Sequence, residues 1–414
     1  MASFGILVGG GPAPGINGVI GAATILARRH DARVVGILDG FRWLMEGNVE
    51  HVTELQISEV SRIHLLGGSI LRTSRANPTK SDAALANVVK SLGALGVDHL
   101  ITIGGDDTAF SARRVAELAG GRVRVVHVPK TIDNDLPLPH GIPTFGFETA
   151  REVAMQVVAR MMEDARTTGR WYFLIVMGRK AGHLALGAAK AAGATLCLIP
   201  EDFPAGPIRL DTVARILEGS VVKRLAMDRP DGVAVIAEGI GERLEPSDLE
   251  GLENVERDEH GHIRLAEVPL GRVLRDRVRD SLAKLGPKPT IGEKDVGYEL
   301  RCAAPHAFDL DYTRDLGAGA VRALLSGASG VMITRQGGAI VPIPFDELMD
   351  PKTHKTRVRL VDVGTESHAS AHALQVRIEP GDLEDTERLG QLAETAKLTP
   401  AQARERWVDA AAVR

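Results

Sequence analysis

Three short segments of this chain gather the residue types that handle phosphate. Gly9-Gly10-Gly11-Pro12-Ala13-Pro14-Gly15 follows an apolar run and precedes a stretch of helical spacing. Glycines there let backbone N–H groups approach an anion, and a helix N-terminus adds the positive end of its dipole. Two familiar loops are excluded. Gly10-x-x-x-x-Gly15 runs into Ile16-Asn17, without the Lys-Ser/Thr of a P-loop. Pro14 stands where the dinucleotide fingerprint would need its third glycine. A tight strand-to-helix turn is the competing explanation. Gly104-Gly105-Asp106-Asp107-Thr108 places two carboxylates and a hydroxyl beside glycines. Hard oxygen donors of this kind suit Mg²⁺ carried by a phosphate, although one aspartate alone would cap a helix starting at Thr108. Pro129-Lys130-Thr131-Ile132-Asp133-Asn134-Asp135 packs a cation, a hydroxyl and two carboxylates into one loop. Phosphoryl transfer needs a base for the acceptor hydroxyl, a metal carrier and cations that offset the charge in transfer. Neighbouring carboxylates also push each other's pKa values apart, which helps one serve as base.

Two further segments are cationic. Met177-Gly178-Arg179 closes an apolar run that Arg170 opens, and Tyr298-Glu299-Leu300-Arg301 is the second. Arginine forks grip phosphate through paired hydrogen bonds. Any one of these arginines would ordinarily be a surface ion pair; several at element ends read as a sugar-phosphate clamp.

The elements that must hold these loops are legible. Apolar runs rich in Val and Ile, without polar alternation, occur at Phe4–Val8, Val34–Leu38, Leu100–Ile103, Val123–Val128, Trp171–Met177, Ala194–Ile199 and Gly232–Ala237. Strands buried on both faces read this way. Helical spacing falls between them at Ile16–Arg29, Ala83–Leu92, Ala109–Leu118, Ala150–Met162, His183–Ala192 and Thr212–Leu225. The alternation predicts an α/β protein of two doubly wound, Rossmann-like domains with mostly parallel sheets. Ligands would lie at the carboxyl ends of the strands, with the active site in the cleft between the domains. The expected division is 1–146 plus about 300–350 for a donor domain, and 147–299 plus about 351–414 for a sugar-phosphate domain. Residues 241–262, with eight acids against Arg243 and Arg257, read as an exposed insertion, and the stretch from Asp382 as a polar helical tail.

Composition bounds the alternatives. The 414 residues carry 50 Lys+Arg and 54 Asp+Glu, a net charge of −4. Neither a nucleic-acid coat nor a basic membrane binder fits that balance. Cys197 and Cys302 are too few for a disulfide framework or a four-cysteine zinc site. No apolar run reaches the ~18–20 residues of a membrane span. The strand-like start after Met1-Ala2-Ser3 leaves no room for a signal peptide, so a cytoplasmic enzyme is expected.

Taken together, the ordered segments resemble the phosphofructokinase family. The resemblance runs from about Phe4 to Gly317. It covers GGGPAPGIN, GGSILRTSR at Gly67–Arg75, GGDDT, PKTIDND, MGR, Ala237-Glu238-Gly239 and Gly297-Tyr298-Glu299-Leu300-Arg301. Within that family, ATP enzymes carry Gly at the positions of Asp107 and Lys130, whereas diphosphate-dependent enzymes carry Asp and Lys, as this chain does. The resemblance implies reversible, Mg²⁺-dependent phosphoryl transfer from diphosphate to the 1-hydroxyl of fructose 6-phosphate, a step of glycolysis and gluconeogenesis. An ATP-dependent enzyme, a kinase of another sugar phosphate such as sedoheptulose 7-phosphate, and a non-catalytic regulatory subunit are the rivals. The implied donor residues are Gly10, Arg75, Asp107, Thr108 and Lys130, with Asp106 holding Mg²⁺. Asp133 would be the base, supported by Asp135, and Lys130, Thr131, Ile132 and Asp133 would line the reaction centre. Met177, Gly178, Arg179 and Glu238 would hold the sugar, and Tyr298, Glu299, Leu300 and Arg301 its 6-phosphate end. Arg170 would reach into a neighbouring subunit of a homodimer or homotetramer. Three departures stand out. Tyr298 replaces a frequent His, the second cross-subunit Arg has no match (its place falls at Gly292, near Lys294), and Leu71-Arg72-Thr73 replaces Leu-Gly-Thr.

Overall fold

The computed structural model describes residues 1–250, 268–349, 352 and 356–413. The chain forms two compact units, Met1–Ala150 with Tyr298–Arg359, and Arg151–Gly297 with Leu360–Arg414.

The first unit is built on a seven-stranded sheet. Its strands are β1 (Ser3–Val8), β2 (Arg33–Ile37), β3 (Val52–Glu54), β4 (His99–Gly104), β5 (Arg124–Pro129), β10 (Val331–Gln336) and β11 (Ala339–Pro344). They lie in the order β11-β10-β5-β4-β1-β2-β3. The five central strands are parallel, and the edge strands β3 and β11 run antiparallel to their neighbours. Successive side chains of a strand point to opposite faces. Phe4, Ile6 and Val8 therefore pack with the helices Ile16–Arg29 and Ala307–Leu325, while Leu7 packs with Asp82–Ala94 and Asp106–Ala119. The expected all-buried runs arise because both faces are covered. The edge strands and the interior β10 escaped the sequence reading: β3 is three residues long, β11 carries prolines and no buried residue, and β10 buries only Met332, Ile333 and Thr334 before the polar Arg335 and Gln336.

The second unit holds four parallel strands, β7 (Leu196–Leu198), β8 (Gly232–Ala237), β6 (Trp171–Val176) and β9 (Ile291–Val296), in that spatial order. β9 was missed because Glu293, Lys294 and Asp295 interrupt it at an exposed edge. Its core includes Trp171, Phe173 and Ile236 from the sheet and Trp407 from the C-terminal helix Pro400–Ala411, so the predicted polar tail is in part core. Helix Leu210–Ala226 buries Glu218, whose carboxylate accepts from Arg406 Nε at 2.6 Å and Trp407 Nε1 at 3.0 Å. The reading of 241–262 as an exposed insertion fails for 241–250. Leu244 and Leu249 are buried, and Arg209 holds Asp248 at 2.8 Å. Residues 251–262 lie outside the described residues.

Candidate active site

The first unit brings its loops together by strand order. β5, β4 and β1 are adjacent and parallel, so Lys130–Asp135, Gly105–Asp107 and Gly9–Gly15 all emerge from neighbouring carboxyl ends. Backbone bonds fasten the loops to one another. Gly9 N donates to Ile103 O at 2.8 Å, Lys130 N to Gly104 O at 2.8 Å, and Gly10 N to Ser74 O at 2.9 Å. Thr73 Oγ1 also donates to Gly10 O at 2.5 Å. Asn17 accepts from Ile70 N at 2.9 Å and donates to Leu66 O at 3.2 Å, tying the first helix to the Gly67–Arg75 segment. Gly67 lets the backbone at Cys302 come close, because an added Cβ there would stand 2.0 Å from Cys302 O. The same approach brings the segment bearing Arg301 against the Gly-rich loop, where a Cβ on Gly11 would meet its guanidinium carbon at 3.4 Å.

Two sequence expectations shift. The acidic helix starts at Asp106, not Thr108, with Gly105 as its N-cap. Both carboxylates thus sit in the first turn, where the helix dipole favours them, and Asp106 Oδ1 accepts from Asp107 N at 2.9 Å. Thr108 is buried, and a Cβ on Gly9 or Gly104 would come within 2.4 Å of its side chain. These two glycines make room for Thr108, a packing duty that the phosphate reading had not required.

Lys130 is the electrostatic centre of the unit. It is 4% exposed, and its ammonium donates to Gly11 O. Burial pushes its pKa down to about 8; Arg301 and, less, Arg75 add to that, while Asp133 and Asp135 oppose it. The loop beyond it is held from several sides. Thr131 Oγ1 accepts from Asp133 N at 3.0 Å, and Thr144 Oγ1 donates to Thr131 O at 2.9 Å. Asn134 adopts φ +57°, with its side chain accepting from Thr144 N at 3.0 Å. Arg359 donates from Nε to Asn134 O at 3.0 Å and from Nη1 to Ile142 O at 2.7 Å. Ile132 is buried, and Asp133 and Asp135 are half-buried.

Sequence reasoning missed several of these supports. Arg359 lies 225 residues from Asn134, and no local pattern announces it. His127 is fully buried beneath the loops, and burial lowers its pKa to about 3. Because Gly104 O can only accept, the ring donates from Nε2 to it at 2.9 Å and takes the Thr102 hydroxyl at Nδ1, 2.8 Å away. Gly104 O therefore receives both His127 and Lys130 N, which links the acidic loop to the lysine loop.

In the second unit, Met177-Gly178-Arg179 follows β6 and Glu238 follows the adjacent β8. Glu238 accepts from Gly178 N at 3.2 Å and stands 3.7 Å from Arg179 Nε. Glu242, counted in sequence only as part of an acidic stretch, lies 3.9 Å from the same nitrogen. Its pKa is raised, chiefly by burial and further by Glu238, against the pull of Arg179. Arg170 precedes β6, so a six-residue strand of ~20 Å separates it from Met177. Gly292, the position without its expected Arg, packs in β9 with Tyr172; a Cβ there would stand 2.7 Å from the ring. Tyr298 opens a one-turn helix, Tyr298–Arg301, of the first unit; Tyr298 is exposed, Leu300 is buried, and the Arg301 guanidinium lies 5.5 Å over the Tyr298 ring. Arg72 takes φ +56° and reaches within 3.7 Å of Asp39.

Comparison with known proteins identifies the family. A phosphofructokinase family match spans residues 3–324. A Thermotoga maritima protein named pyrophosphate--fructose 6-phosphate 1-phosphotransferase is 53% identical, covering 98% of this chain and 97% of its own. A Naegleria fowleri protein of the same name is 51% identical over 96% and 93%. An ATP-dependent 6-phosphofructokinase of Thermus thermophilus is 32% identical over 87% and 98%. The crystal structure of a pyrophosphate-dependent phosphofructokinase from Marinobacter aquaeolei shares the fold, with a TM-score of 0.69 at 17% identity over 96% and 92%. The chain belongs to the phosphofructokinase family.

Proposed function

We propose that this chain transfers a phosphoryl group from diphosphate to the 1-hydroxyl of fructose 6-phosphate, forming fructose 1,6-bisphosphate and phosphate. The observation that carries the reading is the Lys130 ammonium laid on the Gly-rich loop, with the carboxylate of Asp107 in the first turn of the helix that follows the adjacent β4. A short, highly charged donor gains from the fixed cation. A nucleotide, with further phosphates and a base to accommodate, meets the acid instead.

Asp133 takes the proton of the sugar 1-hydroxyl as its oxygen attacks the terminal phosphorus and the bridging P–O bond breaks. Asp135 supports the charge of that loop, and Thr131 fixes the backbone of Asp133. Lys130 and Arg75 offset the charge of the departing phosphate. The half-buried carboxylate of Asp106 offers hard oxygens at the end of β4, a donor set that fits Mg²⁺. Bound there, the ion would shield the charge of the diphosphate oxygens. Met177, Gly178, Arg179 and Glu238 take the sugar, and Arg301 and Tyr298 its 6-phosphate. The net reaction exchanges one phosphoric anhydride for one ester, and it runs in both directions.

The test is the pH profile. In the free enzyme Lys130 loses its proton as pH rises through about 8, so kcat/KM for diphosphate should fall on the alkaline side near that pH. Lys130→Arg stays charged and should abolish that limb. An unchanged limb in this variant would remove Lys130 from the reading. Arg301→Ala deletes a cation that depresses the ammonium, so the limb should move to higher pH. The same variant should raise the KM for fructose 6-phosphate by about 10- to 100-fold, the weight of a charge-assisted contact. Unchanged sugar affinity would make Arg301 a donor-loop residue alone.

Arg170 serves a neighbouring subunit of a homodimer or homotetramer in this account. Mixing Arg170→Ala with Asp133→Asn subunits should therefore restore part of the activity that each lacks. No recovery in demonstrated mixed oligomers would contradict the shared site.

A further inference from the structure

Two histidines and an aspartate of the second unit are not used by the chemistry above. His368 and His372 stand four residues apart on the helix Glu366–Ala373, hence on one face and one turn apart. Asp202 closes the turn Pro200–Asp202 just after β7. One carboxylate oxygen, Oδ1, lies 2.9 Å from His368 Nε2 and 3.2 Å from His372 Nε2. The other, Oδ2, accepts from Ile199 N at 3.1 Å. The imidazole centroids are 4.4 Å apart, and the three donor atoms all lie within 4.8 Å of one another. Asp202 and His368 are buried and His372 is half-buried.

A tetrahedral Zn²⁺ site has metal–ligand distances of ~2.0–2.2 Å, which puts its donor atoms roughly 3.3–3.6 Å apart. The two Asp202–histidine separations need open by only a few tenths of an ångström, and the two imidazole nitrogens lie within 4.8 Å of each other. The protein already holds the aspartate from behind through Ile199 N, the kind of support that orients metal ligands. We propose that Asp202, His368 and His372 form a site for a divalent ion of the Zn²⁺ class, with a fourth position for water. The ion would fasten the helix Glu366–Ala373 to the turn after β7. Two imidazoles favour Zn²⁺, Co²⁺ or Ni²⁺ over Mg²⁺, which prefers oxygen.

The protons balance without an outside acceptor. A ring whose Nε2 proton faces Asp202 passes that proton to Nδ1 on binding, and Nε2 takes the metal. The cost falls on Arg377. Its Nη1 lies 3.3 Å from His372 Nδ1 and would lose that acceptor, while its Nη2 keeps Val413 O at 2.6 Å.

This inference is independent of the donor reading, and its test has no kinetic readout. The full-length protein is stripped with chelator and titrated with Zn²⁺, then with Co²⁺ in a parallel sample. Wild type should bind one Zn²⁺ per chain more than His372→Ala binds. It should show the intense visible bands of four-coordinate Co²⁺, and its Tm should rise with Zn²⁺ but not through this site with Mg²⁺. In His372→Ala the affinity should drop by more than the ~10–100-fold that losing a partner behind a ligand costs. His368→Gln, which keeps much of the ring's volume, repeats the test should the alanine variant fold poorly. Equal Zn²⁺ binding by wild type and both variants, or no Zn²⁺ bound by wild type, would overturn the site.

Discussion

Replacing Asp133 with asparagine should cut turnover by about 10²–10⁴-fold, the usual cost of removing a general base. Asparagine keeps the shape of the side chain but cannot accept the proton of an alcohol. The loop should persist. Its backbone is pinned by Thr131 Oγ1 on Asp133 N, by Thr144 on Thr131 O, and by Arg359 on Asn134 and Ile142. The fructose 6-phosphate KM should therefore move far less than kcat. Lys130 gains a second readout, since Asp133 is one of two carboxylates that hold its proton. With that charge gone, the alkaline limb near pH 8 should shift downward. Steady-state kinetics across pH check both statements. A variant keeping more than about a tenth of wild-type turnover would show that another group takes the proton.

The second large effect concerns the choice of donor. Asp107 is exposed in the first turn of its helix, so replacing it disturbs little packing. A carboxylate facing an extra phosphate is a like-charge contact, and such contacts cost several kcal/mol. Deleting a repelling group relieves that cost. Asp107→Gly should raise the ATP-dependent rate from near zero to a measurable value and lower the diphosphate rate. A glycine early in the helix costs up to about 1 kcal/mol, too little to unfold the unit. Lys130→Gly should behave differently. Lys130 is buried and bonded to Gly11 O, so its loss removes an attraction to diphosphate and also a support of the Gly-rich loop. It should damage the diphosphate reaction more than it helps ATP. Kinetics of both single variants and the double variant, with each donor at fixed Mg²⁺, measure this. An unchanged donor ratio in Asp107→Gly would mean that this carboxylate does not select the donor.

The parts of the molecule that could be read in advance share a physical cause. Strands covered on both faces leave long apolar runs, so β1 and β8 were placed to within a residue, and helix Ile16–Arg29 was marked by its periodicity and the glycines before it. Edge strands carry weaker signals, and β9 hid behind Glu293-Lys294-Asp295. The candidate donor loops were legible because their chemistry is contiguous: a cation, a hydroxyl and two acids within seven residues. Their supports were not. His127 looks like one more residue of an apolar strand until its bond to Gly104 O is seen. Asp309 takes Gly146 N and Thr149 N, both at 2.8 Å, from 160 or more residues away. Spacing along the chain carries no trace of such pairings. Nor could it show that Gly9 and Gly104 make room for Thr108 as much as for an anion.

Diphosphate is the proposed donor. That role is tested most directly by offering the wild-type enzyme fructose 6-phosphate and Mg²⁺ with diphosphate, and then with ATP at the same concentration, and following fructose 1,6-bisphosphate. A like-charge penalty of about 3 kcal/mol corresponds to a rate ratio of about 100, so diphosphate should lead by at least that factor. Turnover with ATP equal to or above that with diphosphate would rule out diphosphate as the preferred donor.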